Sequence, residues 1–203
     1  LLQTPQANLA ARVVCRWMDV HRVPAYDERT GQGLVRRIFV RTAGDGAALV
    51  CVVAAARELP YKDGLVSAVR AVVPSVCGVV LNVNNSAGNA VLSGEFYTLW
   101  GEDAIRDQLC GLEFTLSAAS FYQVNREQAE KLYDIAVEYA ALDKTQSALD
   151  LYCGAGTITL CLARRARHVT GAEIVPQAVE NARENARRNG VSNTDFICAH
   201  ALE

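Results

Sequence analysis

The 203 residues contain no apolar run near the roughly 20 needed for a membrane-spanning helix, and the first residues lack a secretory signal's basic-then-apolar pattern. No membrane partner and a cytoplasmic location are therefore expected. Cysteine occurs seven times, an odd number, with no Cys-x-x-Cys pair. That scatter suggests a reducing compartment and offers no disulfide framework, metal site or cluster site. Charge of one sign is also lacking: 20 Lys and Arg stand against 22 Asp and Glu, a net charge of −2. Neither half departs far from balance, with 11 basic against 10 acidic residues over 1–110 and 9 against 12 over 111–203. Whole-chain electrostatics thus give no sign of a nucleic-acid partner, and any RNA reading must come from motifs. What is present, 51% hydrophobic and 21% charged residues without repeats or low complexity, suits a soluble globular protein with one full core or two small domains. The chain starts at Leu1 without an initiator methionine and ends in Leu202-Glu203, a pair common at the junction to an affinity tag. A piece of a longer protein is expected.

Hydrophobic spacing predicts a helix over 5–20, with Leu9, Val13, Trp17 and Val20 on one stripe. A Pro- and Gly-containing loop follows, then strands over 34–42 and 47–55 joined by the turn Gly44-Asp45-Gly46. Asp63 is the expected cap of a helix reaching Val73, stopped by Pro74. Strands over 77–83 and 91–100 flank a polar turn at 84–89, and strand is expected again over 110–117. A helix over 125–142 precedes a β-α-β-α-β pattern with strands over 147–152, 168–173 and 194–198. In its second helix Pro176 suits the first turn and Gly190 the position just past the end. The fold class is α/β: an α+β domain over 1–112, then part of a doubly wound domain over 113–203.

The chemistry concentrates in Leu149-Asp150-Leu151-Tyr152-Cys153-Gly154-Ala155-Gly156-Thr157. A strand that ends in Gly-x-Gly and opens a helix brings backbone N–H groups against a ligand. A dinucleotide fingerprint needs a further Gly or Ala three residues on, and Thr159 stands there instead. Glu173 ends the next strand, where a carboxylate can accept both hydroxyls of a ribose. Together these favour S-adenosylmethionine over NAD. Cys153 beside the loop invites a nucleophilic role, but without a base nearby in sequence it reads as a small packed side chain. In Ser120-Phe121-Tyr122-Gln123-Val124-Asn125, Asn125 is a helix N-cap with Gln128 as its partner, while Gln123 is left to hold a cofactor or a base edge. Arg36, Arg37 and Arg41 would bind phosphates if they shared a face, but only 37 and 41 share strand parity.

The segment 120–125, the pair Leu132-Tyr133, the loop 149–157 and Gly171-Ala172-Glu173 together resemble the S-adenosylmethionine-dependent RNA uracil-5-methyltransferases. The Phe-x-Gln-Val-Asn form is more similar to the ribosomal (23S) branch than to the transfer-RNA branch. The resemblance implies an α+β central domain followed by the N-terminal half of a Rossmann-like class I methyltransferase domain. It also implies rRNA processing by RNA methylation: a cysteine thiolate adds to uracil C6, C5 takes the methyl group, and a general base removes the C5 proton. Cofactor contacts carry over to Gln123, Tyr152, Gly154, Gly156, Thr157 and Glu173. Tyr152 would pack beside the methionine part, Thr157 would bond near its carboxylate, and Glu173 would hold the ribose.

The family's nucleophilic Cys and basic Glu find no match and are expected beyond residue 203, so the chain by itself is expected to be inactive. His200 stands where an acid near the adenine would be expected. The apolar strand at 148–151 would present an open sheet edge, for which self-association is the expectation. Two rivals stay open: a methyltransferase for transfer RNA, another nucleic acid or a small molecule, and a noncatalytic RNA-binding module using residues 1–110.

Overall fold

The computed structural model describes residues 3–86 and 90–200. Of the expected features, Leu202-Glu203 and part of the turn at 84–89 lie outside the described residues. The chain forms two compact units, Leu1–Ile105 and Arg106–Glu203.

In the first unit, α1 (Pro5–His21) precedes the antiparallel pair β1 (Val35–Thr42) and β2 (Ala48–Ala54). Helix α2 (Lys62–Val72) then crosses over to β3 (Val76–Val83), parallel to β2, and β4 (Glu95–Gly101) pairs antiparallel to β3. The sheet order is β1-β2-β3-β4. Every residue of β2 is buried, as its unbroken run of apolar and small side chains demands. Val50, Val52, Val79 and Leu81 of the sheet join a core with Val14 and Trp17 of α1 and Leu65 and Val69 of α2. The buried face of α1 is Ala10, Val13, Val14 and Trp17. Leu9 and Val20, expected on that stripe, are exposed. Helix α2 starts one residue before Asp63, because Tyr61 in the left-handed region at φ +54° is its N-cap. Strand β4 begins at Glu95 rather than Val91. The Asn82 carboxamide donates to the carbonyls of Ser93 (2.8 Å) and Glu95 (3.2 Å), fixing the chain where that strand starts.

Arg36 lies between the register positions Val35 and Arg37, where β1 is irregular. Its side chain is 4% exposed, bonds Glu28 at 2.7 Å and the Asn84 carbonyl at 2.9 Å, and stacks on Tyr26. Arg37 shares Glu28 at 3.5 Å, and Arg41 is buried over Phe39. Arg36 and Arg41 are thus held within the molecule, while Arg37 is exposed beside Glu28, so the three do not form a common phosphate-binding face.

Strand β5 (Ala104–Leu109) and β6 (Leu112–Ser117) form a two-stranded sheet. The strand expected over 110–117 is therefore the second arm of a hairpin. Its turn is Cys110-Gly111, with φ of +51° and +68°, the pairing of a tight two-residue hairpin turn. Helix α3 (Arg126–Ala140) is capped by Asn125, whose Oδ1 accepts from the Gln128 amide at 3.2 Å, as the sequence predicts.

From there β7 (Ser147–Asp150), α4 (Thr157–Ala163), β8 (His168–Glu173), α5 (Pro176–Arg188) and β9 (Thr194–Cys198) follow in order. The three strands are parallel, with β8 in the centre. This is one half of a Rossmann-like sheet, so the fold class is α/β as expected. Strand β7 ends at Asp150, two residues earlier than its apolar run suggested, which puts Tyr152 in the turn.

Candidate functional site

The site sits at the C-terminal ends of β7 and β8, where open parallel sheets bind ligands. Residues 151–156 turn sharply from β7 into α4. Gly154 (φ +54°) and Gly156 (φ +83°) both lie in the left-handed region, and Gly156 is the N-cap of α4. The two glycines serve different needs. A Cβ on Gly156 would meet Ala182 at 3.1 Å and Phe196 at 3.2 Å, so its bareness lets the loop pack on the domain. A Cβ on Gly154 would meet nothing within 4 Å, so its bareness keeps open the space in front of the loop.

Glu173, at the end of β8, reaches across to this loop. Its Oε2 accepts from the Gly154 amide at 3.1 Å and its Oε1 from the Val175 amide at 2.9 Å. Each carboxylate oxygen keeps a further acceptor position for a hydroxyl. Beside it Tyr152 is 78% exposed, and Ile174 and Val175 are also exposed. Large side chains left bare around a carboxylate and a backbone loop suit a flat ring with hydroxyl groups.

The loop is braced from beneath. Thr159, at the position where a dinucleotide fingerprint wants Gly or Ala, is fully buried and donates to Asp150 Oδ2 at 2.6 Å. It thereby fixes the carboxylate at the end of β7. Thr157 is buried and its hydroxyl pairs with the Tyr133 hydroxyl of α3 at 3.1 Å. Burial pushes the Tyr133 phenol above its ordinary pKa, so it stays protonated and able to donate. Cys153 is 3% exposed, with its sulfur where a Cβ on Gly171 would meet it at 2.9 Å. Burial first, then the Asp150 and Glu173 charges, push this thiol up to about 12, which leaves it a packing group and a poor nucleophile.

The segment 118–125 reaches Gln123, which is half-buried, between exposed Phe121 and Val124. Buried Asp107 of β5 clamps both sides of it, accepting from the Tyr122 hydroxyl at 3.0 Å and from Arg126 at 3.3 Å. Burial first, then the Asp107 charge and hydrogen bond, push the Tyr122 phenol up. The structure thus brings Tyr152, Gly154, Gly156, Thr157 and Glu173 together on one loop and the strand end beside it, and Gln123 onto a segment anchored through Asp107. Sequence reasoning missed Asp107, and it picked out Tyr133 and Thr159 without their partners, the Thr157 hydroxyl and Asp150. Only the last pairing had a visible signal, an acid ending a strand with a hydroxyl in the first turn of the next helix.

A family model described as tRNA (uracil-5-)-methyltransferase matches residues 102–203, half of the chain. The chain belongs to this family. An uncharacterized RNA methyltransferase of Clostridium acetobutylicum is 37% identical over all 203 residues, which cover 44% of that relative. An uncharacterized RNA methyltransferase of Halalkalibacterium halodurans is 40% identical over 180 residues, 88% of this chain and 39% of the relative. The chain thus spans less than half the length of these family relatives. Among solved structures, the tRNA (uracil-54, C5)-methyltransferase of Pyrococcus abyssi, in complex with S-adenosyl-L-homocysteine, has a TM-score of 0.73 at 23% identity, covering 95% of this chain and 46% of that one. The tRNA m1G37 methyltransferase of M. jannaschii reaches 0.56 at 15% identity over 98% of this chain and 54% of that one. At these identities the two structures show a shared fold.

Proposed function

We propose that these residues bind S-adenosylmethionine for methylation of uracil C5 in RNA. The observation that carries the reading is the Glu173 carboxylate set against the Gly154 amide, with open space in front of the glycine, in a chain of this family. When bound, S-adenosylmethionine supplies an electrophilic methyl group on its sulfonium. Glu173 accepts from the ribose hydroxyls while keeping its hold on the loop. Tyr152 covers the methionine part, Thr157 bonds near its carboxylate with Tyr133 orienting the hydroxyl, and Gln123 reaches in from the anchored segment. Cys153 does not attack uracil, because its thiol is buried and protonated; the 203 residues by themselves bind cofactor without transferring methyl groups. The seven free thiols accord with a reducing, cytoplasmic setting.

Ribosomal RNA is the proposed substrate, on the strength of the Phe121-x-Gln123-Val124-Asn125 form. The noncatalytic reading is weakened, since Arg36 and Arg41 are buried in contacts within the first unit and only Arg37 of the three is exposed. The test replaces the matching stretch of the Clostridium acetobutylicum relative with these 203 residues and supplies labelled S-adenosylmethionine with ribosomal or transfer RNA transcripts. Label at uracil C5 of the ribosomal transcript is expected. Label only in transfer RNA would overturn the substrate, and a folded chimera that binds cofactor but labels neither would overturn the reaction.

A further inference from the structure

Helix α5 and its C-cap carry Asn181, Asn185 and Asn189 at four-residue spacing, although asparagine is a poor helix former. Four helical residues rise about 6 Å and two strand residues about 6.7 Å, so such a stripe can follow alternate residues of a strand running beside it. It does so here along β6. Asn189 accepts from the Glu113 amide (2.8 Å) and donates to the Glu113 carbonyl (2.6 Å). Asn185 accepts from the Thr115 amide (2.7 Å) and donates to the Thr115 carbonyl (3.4 Å). Asn181 donates to the hydroxyls of Ser117 (3.3 Å) and Ser120 (2.7 Å). The Asn185 and Asn189 carboxamides thus satisfy backbone groups of the strand edge as a neighbouring strand would.

The rungs differ in where their remaining donor goes. Asn189 returns its to its own helix, at the Asn185 carbonyl (2.8 Å). Asn185, fully buried, gives its to the Ala155 carbonyl between the two glycines of the loop (3.0 Å). The next amide, Gly156 N–H, bonds the Cys153 carbonyl at 2.8 Å. The Ala155–Gly156 peptide is therefore held at both its oxygen and its hydrogen, and its plane cannot turn without breaking a buried bond.

We infer that Asn185 is a positioning residue for cofactor binding, fixing the peptide plane inside the glycine loop and tying the loop to the strand that leads into Ser120 and Gln123. The inference rests on the cofactor reading above, and one experiment separates the two. In the full chain, Asn185→Ala is compared with Asn189→Ala, an equal truncation one rung away, by hydrogen exchange at the Gly156 amide and by titration with S-adenosylhomocysteine. Asn185→Ala is expected to speed Gly156 exchange and weaken binding by about tenfold or more, while Asn189→Ala changes both by less than about threefold. Equal effects of the two truncations would reduce Asn185 to a structural rung and overturn the inference. Faster Gly156 exchange in Asn185→Ala with no binding by the wild type would support the loop's positioning and count against the cofactor reading alone. If Asn185→Ala does not fold, the wild-type Asn185 carboxamide protons give the answer. Slow exchange that slows further with S-adenosylhomocysteine supports the role, and fast exchange contradicts it.

Discussion

The two units treat their apolar residues differently. In the first, β2 is buried at every position and its neighbours complete a core with α1 and α2. In the second, the three-stranded sheet leaves Leu149, Leu151, Tyr152, Ile174, Val175 and Ile197 exposed, all on or just beyond its strands. A folded domain keeps large side chains bare at strand ends where something is to be bound, and the glycine loop and Glu173 lie among them. Strand β7 is also an edge, paired among the described residues with β8 alone. The first unit thus leaves large apolar side chains bare mainly on its helices and connecting segments, such as Val20, Tyr61 and Val72, whereas the second leaves them bare around the glycine loop.

That contrast can be broken most easily in the first core. Leu65→Ala empties a fully buried site and should cost about 2–5 kcal/mol in denaturant unfolding. A loss under about 1 kcal/mol would show that this core is not closely packed. Next in size, Thr159→Val removes a buried hydroxyl and leaves Asp150 without that donor, so a loss of about 1–3 kcal/mol is expected, with weaker S-adenosylhomocysteine binding. Unchanged binding would detach the pair from the site. At the exposed end, Leu149→Ser should change stability by less than about 0.5 kcal/mol. Sedimentation should meanwhile show whether self-association, proposed for this edge, depends on Leu149. A larger destabilisation would mean that Leu149 is covered.

Alkaline pH sharpens the comparison in another way. Cys51 in the first unit and Cys153 and Cys161 in the second are all pushed from about 9 up to about 12, chiefly by burial. Above pH 9 the unfolded thiols lose protons that the folded ones keep, so stability should fall as pH rises from about 9 toward 12 and be fully present below 9. Replacing all three with Ala or Val should flatten that slope, and an unchanged slope would assign it to other groups. Iodoacetamide at pH 8 should label exposed Cys15 and Cys198 well before these three.

Much of this was legible beforehand, for identifiable reasons. The parallel β-α-β-α-β order, the Asn125 cap and the glycine turn rest on local spacing and backbone preference, which the chain states directly. Strand β5 was hidden because Cys110, in a left-handed turn that usually takes Asn, Asp or Gly, gives no turn signal. The stripe of α1 was misplaced by one helical position because Ala10 and Val14, small and bulky side chains alike, share the buried face. Long-range polar partners were beyond reach: nothing in Asp107, Tyr133 or Asn185 says which backbone or hydroxyl 15 to 70 residues away it will meet.

The most direct test of the account is a calorimetric titration of the chain with S-adenosylhomocysteine and with NAD, using Glu173→Ala as the control. Binding of S-adenosylhomocysteine alone, weakened at least tenfold in a Glu173→Ala chain of unchanged stability, is the predicted result. Binding of NAD in its place, or equal affinity with and without the Glu173 carboxylate, would contradict it.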